Sequence, residues 1–150
     1  MKSADPTKLD RLLELRRHEE QRRTVELVAS HRALDEAERT LEQLRAQRRE
    51  IETKMENLHG ESVGQFQTHR LLLEQLDQGI RNATTVMSLA SAKAGEMAEA
   101  LEQASKDREA LERVVVPRRE QAQALERVAE QKVEDEAALT RFRREGGSRS

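Results

Sequence analysis

Between residues 73 and 104, apolar side chains recur at alternating steps of three and four: Leu73, Leu76, Ile80, Ala83, Met87, Ala90, Ala94, Met97, Leu101 and Ala104. The residues between them are mainly polar or charged. So narrow a seam, with a period of 3.5, suits a helix lying against a partner helix better than the flank of a globular core. An earlier seam begins weakly at Leu9 and Leu13 and then meets Arg16, Glu20 and Arg23. It firms at Leu27 and runs through Leu34, Ala37, Leu41, Leu44, Ile51, Met55 and Leu58, with Ser30 and Arg48 as its polar positions.

The punctuation between the seams predicts two helices. Asp5 can cap the first, and Pro6 fits its first position, where no backbone donor is needed. His59-Gly60 reads as a helix stop. Ser62 and Gln65 have the spacing of a capping box, which starts the second helix near residues 62–65. Helix 1 is expected over about 6–58, the turn over 59–65, helix 2 over about 66–143 and a frayed tail over 144–150. Two long seams joined by so short a loop lie antiparallel. The competing arrangement, a parallel homodimer of one very long helix, is disfavoured by Gly60 and Gly64. The expected fold is all-α: an antiparallel two-helix coiled-coil hairpin with a longer second helix.

Placing Leu58 opposite Phe66 fixes a register for the whole hairpin. It sets Met55 against His69, Ile51 against Leu73, Arg48 against Leu76, Leu44 against Ile80, Leu41 against Ala83 and Ala37 against Met87. Large faces small in several layers, as interdigitated packing requires. Farther on, Arg23/Leu101, Glu20/Ala104 and Arg16/Arg108 form a poorly sealed zone, followed by Leu13/Leu111 and Leu9/Val115. Residues 118–143 then have no partner within the chain. Pro117 falls where the first helix runs out, so a kink or break is expected there.

Composition removes the globular alternatives. Hydrophobic residues make up 35% of the chain, aromatics 1% and charged residues 37%, with no Trp, Tyr or Cys. Such a chain cannot bury a sizeable core, and the sustained seam argues against disorder. The net charge of −2, with both signs interspersed, does not steer toward nucleic acid or an anionic membrane. No stretch approaches the roughly 20 apolar residues of a membrane span, and the first ten residues lack a signal core. The expectation is a soluble, cytoplasmic protein with no direct membrane insertion.

No reaction can be assembled from these residues. His18, His31, His59 and His69 lack metal-site spacing and read as solvated helix histidines. There is no phosphate-cradling G-x-x-x-x-G-K-[ST], and carboxylates alternate with arginines on solvated faces. No catalytic residue, metal or cofactor is expected, nor a nucleic-acid partner: the basic doublets sit beside acids, and stacking aromatics are missing. Interaction is what remains. Apolar residues off the seam mark it best, above all Leu71-Leu72 near the turn and the broken stripe Leu125, Val128, Leu139 and Phe142 on the unpaired extension.

Three stretches carry a likeness to a known family. KLDRLLELRRHEEQ (8–21), HRLLLEQLDQGI (69–80) and QALERVAEQKVEDEAALTRF (123–142) resemble the opening, the second-helix motif and the charged close of the flagellar export family FliJ. The related YscO-type secretion stalk is the second choice, and the 69–80 motif favours the flagellar branch. The resemblance implies a stalk-like coiled coil, cytoplasmic and peripheral at the inner face of the cell membrane. Its partners would be the type III export ATPase hexamer, the membrane export gate and export chaperones. It implies ATPase contacts at the end carrying both termini, here Leu12, Arg16, Arg119, Leu125, Val128, Leu139 and Phe142. It implies gate contacts at Leu44, Gln47 and Ile51 on the first helix and at Leu72, Leu76 and Gly79 on the second. Two other classes compete: a structural adaptor of an unrelated assembly, and a helical chaperone for non-native chains.

Overall fold

The computed structural model describes residues 6–57 and 63–147. They form two helices, α1 (Pro6–Glu56) and the longer α2 (Val63–Gly147), and no strand occurs among the described residues. The two pack as an antiparallel helical hairpin, the all-α fold that the paired seams predict. Asp5, Leu58, His59-Gly60 and Ser62, to which the cap, the last layer and the turn were assigned, lie outside the described residues.

Burial follows the seams residue by residue. On α2 every third or fourth residue from Leu73 to Val115 is buried or half-buried, and those between are mostly exposed. On α1 the same track runs from Leu9 to Met55, with Arg16 as the one exposed position. Direct contacts agree with the expected register. A Cβ on Gly79 would meet the Leu44 side chain at 3.7 Å, one residue from the predicted partner Ile80. Arg48 reaches Asp77 at 2.6 Å, next to the predicted Leu76. Arg16 reaches Asp107 at 3.7 Å, next to the predicted Arg108.

Packing divides the chain into two units, residues 1–18 with 105–150 and residues 19–104. In the second unit Ser30, Ala37, Leu41, Ala94 and Ala104 are buried. Ser30 donates its hydroxyl to the Glu26 carbonyl at 2.9 Å, so its burial leaves no orphaned donor. In the first unit the buried residues are Leu13 and Val115. From Val116 to Gly147 every described residue of α2 is exposed.

Three expectations need correction. Of the kink or break expected at Pro117, the break does not occur: α2 continues through the proline to Gly147, past the expected end at 143. Arg113 and Pro117 are both exposed, so water can take up the carbonyl that the missing N–H would have engaged. His69 is not a solvated histidine. It lies on the seam track, half-buried, with Nδ1 buried and without a hydrogen-bond partner. The predicted Glu20 and Arg23 layers are half-buried rather than open. Arg23 bonds Glu19 and Glu26 on its own helix, at 3.0 Å each, which leaves its aliphatic stem free to cover the seam.

Candidate interaction surfaces

The structure sorts the anticipated contact residues into two places. All six gate candidates lie in the unit of residues 19–104, and all seven ATPase candidates lie in the other.

In the 19–104 unit, Gln47 and Ile51 on α1 and Leu72 and Leu76 on α2 line one open groove of ≈ 330 Å³, with Glu50, Lys54 and Gln75 at its edges. Heptad geometry explains the grouping: Ile51 and Leu76 are seam positions, while Gln47 and Leu72 flank the seam on the same side. Farther along the helix pair, the open face of Gly79 lies toward the Leu44 side chain, which an added Cβ would meet at 3.7 Å. Leu72 is exposed, whereas Leu44, Ile51 and Leu76 are half-buried in the seam. The groove offers a partner an apolar floor with amides and one Glu50–Lys54 pair at its rim.

Next to it on the seam, Arg48 bridges two acids. Its guanidinium hydrogen-bonds Asp77 on α2 and Glu52 on its own helix. The Asp77 hydrogen bond is the main reason that its pKa rises further above the usual arginine range. Arg23 is raised in the same sense, chiefly by its hydrogen bond to Glu26. A second groove, ≈ 500 Å³, opens beside Ala29, Ser30 and Ala33, where small residues leave the flank shallow; Lys93 and Met97 form its α2 wall.

In the other unit, Leu12 and Arg16 face Asp107, Ala110, Leu111 and Val114 across a shallow cleft. Flanking ion pairs fasten the helices here: Arg17 to Glu112 at 3.3 Å, and Arg119 to Asp10. Arg119 is therefore engaged within the chain rather than held out toward a partner. Leu125, Val128, Leu139 and Phe142 are exposed, Phe142 at 74%, on a stretch of helix that is exposed on every side. Lys132 and Asp135 interrupt the apolar stripe at the same three-four spacing. Val133 is exposed as well, away from that stripe.

The partners Asp10, Asp77, Asp107 and Glu112 carried no motif of their own. The register could have exposed two of them: it puts Asp77 beside the position opposite Arg48, and Asp107 beside the position opposite Arg16. Glu112 and Asp10 lie farther along than the positions opposite Arg17 and Arg119, within reach only of long side chains. Among the described residues there is no group of three His, Cys, Asp or Glu side chains able to hold a metal ion. No helix of the described residues is long and apolar enough to cross a membrane.

Comparison with known proteins bears on this arrangement directly. No curated protein and no solved structure matches the chain. The family described as flagellar FliJ protein matches residues 5–147, which takes in both helices and every anticipated contact residue. On that match, and with the helical hairpin it accompanies, the chain belongs to the FliJ family, a structural and adaptor component of the flagellar export apparatus.

Proposed function

We propose that this chain is a soluble cytoplasmic stalk that binds the hexameric export ATPase through the end carrying its termini and promotes the assembly or turnover of the ring. The observation that carries this reading is the helix from 116 to 147: exposed on every side, yet studded with Leu125, Val128, Leu139 and Phe142. Apolar side chains on a solvated helix favour association, and the interspersed charges suit a lumen whose subunits must be met without locking to one of them. The groove of Gln47, Ile51, Leu72 and Leu76 supplies a separate surface for the membrane export gate, at the inner face of the cell membrane. Escort of export chaperones belongs to the same reading.

The test is the turnover of the cognate ATPase with and without the chain. Full-length protein raises the rate, and deletion of residues 118–143 abolishes the rise. Stimulation that survives the deletion overturns the role given to the extension.

A further inference from the structure

α2 keeps its helical path through Pro117, although the ring removes one backbone bond and crowds the Arg113 carbonyl. A missing backbone bond makes that segment easier to bend than the regular helix on either side. Val115, only 3% exposed, is the last buried residue before it. Just beyond the proline, Arg119 donates a charge-assisted hydrogen bond to the Asp10 carboxylate near the start of α1. Leu9, Val115 and Ala122 line an ≈ 180 Å³ cleft at the same place. A contact thus reaches back from the far side of the weak segment to the packed part of the helix pair.

We propose that residues 116–119 form a joint and that Asp10–Arg119 is the clasp that sets it. With the clasp closed, the helix beyond residue 120 holds one direction. With it open, that helix swings, while Leu13 and Val115 keep the packed part of the unit together. Both side chains of the pair are nearly half exposed, 47% for Arg119 and 44% for Asp10. An exposed pair is weak and yields to salt or to a competing charge. A carboxylate offered to Arg119, or a cation offered to Asp10, would open it. The direction of the extension would then depend on what it meets. The inference concerns that direction alone and holds whether or not the extension enters a ring.

The chain has no cysteine, so introduced pairs can carry spin labels without background. Arg11→Cys with Ala137→Cys reports the extension, and Arg11→Cys with Arg113→Cys reports the packed part. Asp10→Asn and Arg119→Gln are each expected to broaden the 11–137 distance distribution and leave the 11–113 distribution unchanged. The swap Asp10→Arg with Arg119→Asp is expected to restore the narrow distribution. Salt near ~1 M, where the Debye length falls to ~3 Å, should broaden the parent in the same way. Pro117→Ala, added to Asp10→Asn, should narrow the distribution again by stiffening the helix. An 11–137 distribution unmoved by either single substitution would overturn the clasp. So would broadening of the 11–113 pair, since the ion pair would then hold the packing at large. Breadth that persists with Pro117→Ala would place the joint elsewhere and refute it.

Discussion

At the scale of single residues, position on the seam decides what a side chain does. Leu13 is 1% exposed and Leu15, two residues on, is 64% exposed. Leu13→Ala is therefore expected to cost about 2–5 kcal/mol in a denaturant melt, and Leu15→Ala less than about 0.5 kcal/mol. Equal effects would mean that the seam does not hold the unit together. Gly95 sits within α2 with nothing within 4 Å of an added Cβ, so Gly95→Ala should stabilise by about 0.5–1 kcal/mol. A melting temperature that falls on that change would show strain that the open space does not suggest. The apolar seam residues were legible because burial on a coiled coil follows a fixed period. The partners of its polar residues were less so. Arg23 sits opposite Leu101 in the register, yet its head turns along α1 to Glu19 and Glu26. Arg48 instead reaches across to Asp77. That choice depends on which rotamer finds a carboxylate, and a heptad pattern does not specify it.

At the scale of elements, the helices were legible from periodicity, and the length of α1 from the absence of breakers within it; the length of α2 was not, because Pro117 lies inside it. A proline preceded by three valines argues locally for a break, and that local preference loses. Val115 is anchored in the seam, while the lost bond faces water, so helix on both sides of the proline carries on. Removing the defect should still be felt nearby. Pro117→Ala is expected to stabilise the local helix by up to about 3 kcal/mol and to slow amide hydrogen exchange at residues 118–122. Unchanged exchange there would mean that the proline is not the weak point of α2. The α1 terminus is plainer: Asn57 N–H bonds the Thr53 carbonyl at 3.2 Å, and Lys54 lies in the last turn, where positive charge is favourable.

At the scale of the whole molecule, the two sets of candidate contact residues fall into separate packing units, which makes their proposed roles separable by mutation. Leu72→Glu, on the exposed rim of the groove, is expected to weaken gate binding several-fold in a pull-down while leaving ATPase stimulation intact. Loss of both together would argue that the substitution acts through stability. Leu44, Ile51 and Leu76 are poorer probes, because they also pack in the seam. The sequence resemblance singled out which residues to compare. It did not reveal that four of the six gate candidates share one groove, nor that Arg119 is already paired with Asp10. The shared groove follows from the register of the two helices, whereas the Arg119–Asp10 pair depends on which carboxylate the long side chain finds.

The most direct test of the account is ATPase turnover with the variant Leu139→Asp/Phe142→Asp. Both residues are exposed and lie outside the packed seam, so helicity and melting should match the parent. The account predicts that this variant returns turnover to that of the ATPase alone. Stimulation equal to the parent's, from a variant that remains folded, would contradict it.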